Sequence, residues 1–143
     1  MEPEGSLLYA IKAAAVDAAA NVWTFGAQKT MYGGKHVRPG DHIAVFDSEN
    51  EGGLGLVARG VVVHVEACPK RSGIERQTPR VTLTIASRGR AIRRLGRVEL
   101  KALSLSGRGD SPEAELHFKL YRQATNKIVG LSVPAAVFLH TYF

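Results

Sequence analysis

The chain has 143 residues, of which 45% are apolar and 22% charged, a mixture typical of one globular domain of ordinary size. This composition excludes collagen-like, disulfide-scaffold and wholly disordered chains, because a domain of this length buries enough apolar surface to be stable without metals or cross-links. Lysine and arginine number 19 against 13 acidic residues, so the formal net charge is +6. An excess of this sign favours polyanionic partners.

The positive charge is concentrated in one third of the chain. Residues 1–69 carry a net charge of −3, residues 70–101 a net charge of +8, and residues 102–143 a net charge of +1. The sharpest part is the run SRGRAIRRLGR at residues 87–97, where glycines permit close approach of a ligand. Guanidinium forks match phosphate oxygens, so this run predicts a phosphate-facing patch, with a solvated surface as the alternative. The predicted phosphate-binding residues are Arg88, Arg90, Arg93, Arg94 and Arg97.

The compartment is indicated by three features of the chain. Cys68 is the single cysteine and cannot form an internal disulfide, which suits a reducing cytosol. The first five residues are acidic where a secretory signal needs basic residues, and no apolar run approaches the ~20 residues of a membrane helix. We therefore expect a soluble, cytoplasmic domain of bacterial type.

In the first third of the chain, apolar runs and turn residues alternate at short intervals. An eight-residue stretch that is nearly all alanine, the best helix former, favours a helix, and the Arg38–Asp41 segment (RPGD) has the residue chemistry of a turn. The predicted elements are a strand over 7–11, a helix over 13–20, an extended segment over 22–25, a loop over 28–37, a turn over 38–41 and a strand over 42–46.

The remainder of the chain is predicted in the same way. Alternation is clearest in RVTLTIAS at residues 80–87, and the segment 112–121 is left open between a helix capped by Ser111 and a strand over 116–121. The predicted elements are a polar loop over 47–53, a strand over 54–66 with a possible bulge at Gly60, a basic connector over 69–79, strands over 80–87, 98–105 and 127–131, a loop over 106–112, and a terminal helix after Ser132.

These elements predict an α+β fold that is mainly β. Five to seven short strands with two or three short helices, and without strand–helix alternation, fit a small, mixed, mainly antiparallel β-barrel. We expect a single domain over residues 1–143.

Most motifs of catalysis or cofactor binding are absent or out of context. Residues 53–58 (GLGLVA) match G-x-G-x-x-A, but a polar loop precedes them and a β-branched run follows, which does not suit a dinucleotide site. The five histidines and one cysteine have no zinc-ligand spacing. His64 is separated from Cys68 by about 13 Å of strand, too far for a nucleophile and its base. We predict no metal, no cofactor and no catalytic residue.

The aromatic residues offer a second functional signal. Trp23, the only tryptophan, lies with Phe25 and Tyr32 in a short window next to glycines. Flat side chains at a cleft can stack on a nucleobase, at about 1–3 kcal/mol per base. The alternative is that Trp23 and Phe25 belong to the core, as most such residues do.

Several segments, read in order, resemble the EVE domain of the PUA-like superfamily, which also includes YTH and ASCH domains. The Val37–Ser48 segment (VRPGDHIAVFDS) is similar to that family's basic-Pro-Gly-Asp turn followed by an apolar strand and a small polar residue. The other matching segments are residues 8–12 (LYAIK), 21–24 (NVWT), 53–63 and 128–132 (IVGLS).

The resemblance implies a compact barrel with a pocket for a flipped, modified base of DNA or RNA. Carried over by position, it implies that Trp23, Thr24, Asp47 and Ser48 line the pocket, with Lys12 close by. Phe25, from the aromatic window, completes the predicted pocket. Trp23 would stack on the base, and Thr24, Asp47 and Ser48 would bond its edge. Flipping costs a few kcal/mol, which stacking and hydrogen bonds must recover.

Two other classes of function stay open at this point. One is an ASCH-like ribonuclease that uses Lys12 or Lys29 with an acid from residues 47–51. The other is a module that binds a small molecule or an acidic protein through its basic region.

Overall fold

The computed structural model describes residues 6–69, 73, 79–106, 111–122 and 125–143. In this part of the chain, six strands close into a barrel in the order β1-β3-β4-β5-β2-β6. The strands are β1 Leu7–Ala13, β2 Val22–Met31, β3 His42–Asp47, β4 Gly55–Ala67, β5 Arg80–Arg90 and β6 Lys127–Gly130. The helices are α1 Arg97–Ser106, α2 Pro112–Tyr121 and α3 Val133–His140, and two short 3-10 turns span Gly34–His36 and Glu49–Glu51.

The barrel is mixed, as predicted. The pairs β1–β3 and β2–β6 are parallel, whereas β1–β6, β2–β5, β3–β4 and β4–β5 are antiparallel. Closure gives each strand a neighbour on both sides, although residues 22–28 of β2 pair with β5 alone. The predicted α+β barrel is confirmed, as is the bulge at Gly60, where the β4–β5 register shifts.

Two apolar cores stabilise this architecture. The barrel interior receives side chains from all six strands, including Ile11, Ile43 and Leu83, which are fully buried. The second core lies between the outer wall and the helices, where Phe46 and Leu116 are fully buried. Successive strand residues point to opposite faces, so a strand covered by helices buries both of its faces.

The helix starts follow from their capping residues. The Ser111 hydroxyl accepts a hydrogen bond from the backbone N–H of Ala114 at 3.1 Å, and Ser132 accepts one from Ala135 at 3.2 Å. Proline in the first turn of each helix has the required backbone angle already. The segment 112–121, which the sequence left open, is therefore a helix.

The predicted helix over 13–20 is wrong. β1 continues through Ala13, and the backbone then turns at Ala15, whose φ is +56°. The backbone N–H of Ala14 donates to the Asn126 side chain at 3.2 Å, and that of Val16 donates to Asp47 Oδ1 at 3.2 Å. An eight-residue helix is marginal on its own, so these tertiary bonds outweigh alanine's propensity.

The predicted strand over 98–105 is also wrong, because α1 occupies this segment. Its start is stabilised by two carboxylates: Glu99 accepts from the Gly96 N–H and Glu49 from the Arg97 N–H, both at 2.8 Å. A strand would have placed Val98 and Leu100 on one face, yet Val98 is exposed and Leu100 is fully buried.

The predicted loop over 28–37 is wrong in its first part, because β2 runs to Met31 and pairs with β6. The strand predictions over 7–11, 22–25, 42–46, 54–66, 80–87 and 127–131, the turn at 38–41 and the terminal helix are confirmed. Most of the predicted connector over 69–79 and loop over 106–112 lies outside the described residues.

Candidate nucleic-acid interface

One end of the barrel brings most of the predicted site residues together. The strand pairing places the C-terminal ends of β1, β3 and β5 at the same end as the N-terminal ends of β2, β4 and β6. We call this the polar end. The predicted residues of this end fall into three groups: an aromatic pair inside the barrel, a polar cluster under the helices, and the arginine segment on the surface.

The aromatic pair consists of Trp23 and Phe25, which point into the barrel interior. Their ring centroids are 6.4 Å apart with an interplanar angle of 20°, and the two residues are only 6% and 8% exposed. Thr24, between them, points outward and is exposed, with its hydroxyl 3.3 Å from that of Thr84. The strand therefore separates Thr24 from the two rings, because neighbouring side chains lie on opposite faces.

Residues 14–21 form a cap over the polar end. Trp23 Nε1 donates to the backbone oxygen of Asp17 at 2.7 Å, and Asp47 Oδ1 accepts from the Val16 N–H. Val16 is 8% exposed and packs in the interior core, whereas Asp17 is exposed. The cap thus lies directly above Trp23 and is held by Asp47.

The polar cluster lies on the outer wall, beneath α2. Lys12 is 2% exposed, and its Nζ lies 4.7 Å from the centroid of the Tyr121 ring. The Tyr121 hydroxyl donates to Glu49 Oε1 at 2.8 Å. Ser48 is 1% exposed, and its Oγ lies 3.3 Å from the Thr125 hydroxyl oxygen. Strand alternation therefore separates the Lys12 side chain from the interior rings.

Burial controls the protonation of this cluster. Burial lowers the pKa of Lys12, the Arg97 charge lowers it further, and the Glu49 carboxylate opposes both. Burial also raises the pKa of Tyr121, and its hydrogen bond to Glu49 adds to this because the carboxylate favours the protonated phenol. Tyr121 is therefore fixed as a neutral hydrogen-bond donor.

A row of cations crosses four adjacent strands and was not predicted from the sequence. Lys12 on β1 pairs with Lys127 on β6, Lys127 pairs with Lys29 on β2, and Lys29 pairs with Arg80 on β5. Cross-strand partners point to the same face, so the four side chains share the outer wall. We call this the cation row. Lys127 is 0% exposed, and burial, followed by the charges of Lys12 and Lys29, lowers its pKa to about 8.

The arginine segment reaches the same end of the barrel. Arg88 and Arg90 are exposed near the end of β5, and Arg94 is exposed, with its Nε 3.7 Å from the Glu99 carboxylate. Arg97 is exposed at the start of α1, and its backbone N–H donates to Glu49. Arg93 bonds Thr141 through its guanidinium and lies over the Tyr142 ring at 4.3 Å, so its side chain is held against the C-terminus.

The described residues also form a surface groove between α1 and α2, away from the predicted site. None of the predicted site residues lines it. Its lining residues are Ser104, Ser111, Ala114, Glu115, His117, Phe118, Lys119 and Arg122.

Among the described residues, no three histidine, cysteine or acidic side chains come together as metal ligands. The free thiol of Cys68 lies 3.6 Å from the Thr82 hydroxyl. In the same part of the chain, none of the helices is long and apolar enough to span a bilayer.

The described residues form a closed, mixed six-stranded barrel, and all three helices contribute side chains to its outer core. The fold expected from the sequence resemblance is thereby confirmed. No known family model matches the sequence, and no curated protein matches it either.

Solved structures supply the specific likeness. The human THYN1 protein, in complex with DNA that contains 5-methylcytosine, superposes with a TM-score of 0.66 over 93% of this chain and 95% of that chain, at 13% identity. The DUF55 domain of human thymocyte nuclear protein 1 superposes with a TM-score of 0.53 over 74% of this chain and 68% of that chain, at 15% identity. At these identities the likeness establishes the fold.

Proposed function

We propose that this chain binds DNA and accepts a modified base, with 5-methylcytosine as the first candidate, at the polar end of its barrel. The observation that carries the proposal is the meeting of the arginine segment with Asp47, Ser48 and the cap at this one end. A protein of the same fold is known in complex with DNA that contains 5-methylcytosine, which makes that base the rational first ligand.

The base would enter beneath the cap formed by residues 14–21. Trp23 lies directly below this cap, so displacement of the cap would expose an indole face that can stack on the base. The Asp47 carboxylate, which binds the cap, is the edge-bonding group that we assign nearest the opening, and the neighbouring Ser48 hydroxyl, in the polar cluster, is assigned as the second. Thr24, which faces outward, would then contact the nucleic acid from outside the barrel.

Two groups of cations support a polyanionic ligand. Arg88, Arg90, Arg94 and Arg97 are exposed and can neutralise phosphates, which gives affinity without sequence information. Lys12 and Lys127, the two buried members of the cation row, create a positive potential near Tyr121, which would favour a ligand that brings negative charge close to Lys12. Arg93 is assigned a weaker phosphate role, because its guanidinium is held by Thr141.

The chain's single tryptophan provides a direct assay. Trp23 emission reports on its own surroundings without background, so a stacked base should quench it. We would titrate the protein with single- and double-stranded oligonucleotides that carry cytosine or 5-methylcytosine, at two salt concentrations, and follow both Trp23 emission and the anisotropy of labelled DNA. The expected result is binding that is strongest for the methylated base, with a salt dependence that reports several phosphate contacts.

A matched pair of variants separates the site from overall charge. Arg90→Ala/Arg94→Ala and Lys35→Ala/Arg38→Ala each remove two exposed cations, but Lys35 and Arg38 lie at the opposite end of the barrel. The first variant should weaken binding and flatten its salt dependence, and the second should change neither. Equal losses in both variants would contradict a localised phosphate site.

The ribonuclease alternative is tested with the same purified protein in a cleavage assay. Purified protein should leave labelled RNA intact during prolonged incubation. Steady cleavage of the RNA that is abolished by Lys29→Met would instead indicate a ribonuclease and would overturn the proposal of a non-enzymatic binding module.

A further inference from the structure

Leu54 is an apolar side chain left exposed in a position that its own backbone holds fixed. It is 61% exposed and lies between β3 and β4. It is the central residue of the Gly-Leu-Gly run whose flanking segments do not suit a dinucleotide site. Single exposed leucines are common and need no explanation by themselves. What distinguishes Leu54 is the close packing of the glycines on both sides of it.

Both neighbouring glycines are packed against the candidate interface. A Cβ on Gly53 would lie 2.7 Å from the backbone carbonyl of Asp47, and the Gly53 N–H donates to the Ser48 oxygen at 2.9 Å. Gly55 has φ +85°, and a Cβ there would lie 2.5 Å from the Leu95 oxygen. Since neither glycine has room for a side chain, the backbone of Leu54 is held between the Asp47–Ser48 edge and the arginine segment.

The surroundings of Leu54 combine apolar and cationic groups. Leu95 and Gly96, against which Gly55 packs, are flanked by the exposed Arg94 and Arg97. Val98, one residue further, is 68% exposed. An exposed apolar side chain next to a segment that carries exposed arginines is complementary to a duplex, where stacked bases lie between two lines of phosphates. The same surroundings are unfavourable for an apolar protein surface, which would have to desolvate the arginines.

We propose that Leu54 is a wedge that enters a DNA duplex and fills the space left by the base taken into the polar end. This inference rests on the proposed function, and it specifies the substrate as a duplex from which a base is extruded. Removing a base from the stack leaves its neighbours without contacts, and an apolar wedge restores part of that stacking. The rigid backbone at Leu54 avoids the entropy loss of ordering a flexible loop at that step.

The test compares Leu54→Ser with Val137→Ser, an equally exposed apolar position on α3. Three ligands are used: a duplex with one central 5-methylcytosine, the same strand alone, and the duplex with 2-aminopurine beside the methylated base. Leu54→Ser should weaken duplex binding about tenfold, change single-strand binding less than about twofold, and reduce the rise in 2-aminopurine emission. Val137→Ser should match the wild type on every ligand, and thermal melting should confirm that both variants fold.

The outcomes separate the wedge from the proposed function. Wild-type protein that binds none of the ligands overturns both proposals. Wild-type binding that Leu54→Ser leaves unchanged overturns the wedge alone, as does an equal loss on the duplex and the single strand, which would make Leu54 an ordinary contact.

Discussion

The buried amine of Lys127 should cost the fold stability at neutral pH. Burial and the neighbouring charges of Lys12 and Lys29 lower its pKa from the ordinary 10.5 to about 8. Each pH unit between the folded and unfolded pKa corresponds to about 1.4 kcal/mol, which bounds the cost at about 3 kcal/mol. Relaxation of the protein around the buried charge reduces this to about 1–2 kcal/mol. Lys127→Met keeps the length of the side chain and removes the charge, so it should raise the free energy of unfolding by this amount at pH 7.

The stabilisation by Lys127→Met should decrease as the pH rises. Below pH 8 the folded and unfolded states are both protonated at Lys127, so the cost is constant. Between pH 8 and about 10 the folded protein releases this proton first, the unfolded chain binds more protons, and the stability of the wild type rises with pH. The advantage of Lys127→Met should therefore shrink across this window.

Urea unfolding followed by Trp23 emission at pH 7 and pH 9.5 measures both quantities. Lys35→Met is the control, because Lys35 is exposed and its substitution should change stability by less than about 0.5 kcal/mol at either pH. A Lys127→Met protein that is less stable than the wild type at pH 7, by an amount independent of pH, would refute the reasoning. It would mean that contacts of Lys127 fully compensate its charge.

Three further predictions concern the fold and the polar cluster. Gly60→Ala should destabilise the protein by about 1–3 kcal/mol, because its Cβ would lie 2.6 Å from the Ala86 backbone oxygen. Gly26→Ala, which has open space around it, should destabilise the protein much less in the same urea experiment. Ser132→Ala removes the cap of α3 and should cost about 1–2 kcal/mol in thermal unfolding. The free energy of unfolding of the wild type should fall as pH rises above 10. The reason is that Tyr121 ionises in the unfolded state, whereas its raised pKa keeps the phenol protonated in the folded state. The free energy of unfolding of Tyr121→Phe should fall less steeply with pH.

The sequence predicted the barrel well because its strands are marked by local patterns. The alternation at 80–87 and the Arg38–Asp41 turn are complete within ten residues, and the hydrogen bond from the Arg38 N–H to Asp41 Oδ2 at 2.8 Å confirms the predicted turn chemistry. Errors occurred where distant groups complete a local structure. Alanine propensity at 13–20 gave way to backbone hydrogen bonds that the Asn126 and Asp47 side chains accept, and the start of α1 depends on Glu49, almost fifty residues earlier.

The candidate site was less accessible to prediction than the barrel, for a geometric reason. Strand alternation fixes which residues share a face of one strand, but not which strand lies beside it. Lys12 and Lys127 are 115 positions apart and become neighbours only through the β1–β6 pairing, so the cation row has no signature in local sequence. The aromatic pair, by contrast, was recognised locally as either core or stacking residues. The structure places both rings in the core, beneath the cap, and the stacking role of Trp23 is part of the proposed function.

The cation row and the cap share a physical feature that links stability to the proposed function. Buried like charges at Lys12 and Lys127, and the left-handed backbone of Ala15, each raise the free energy of the folded state. A ligand that binds at such a site can offset these energetic costs. An anion near Lys12 would neutralise the cation row. A base beneath the cap would replace the contacts that the cap makes with Trp23. Lys127→Met should therefore combine two opposite effects, a more stable protein and weaker DNA binding. If both stability and binding rose together, the row would be a structural accident of the barrel rather than part of a binding site.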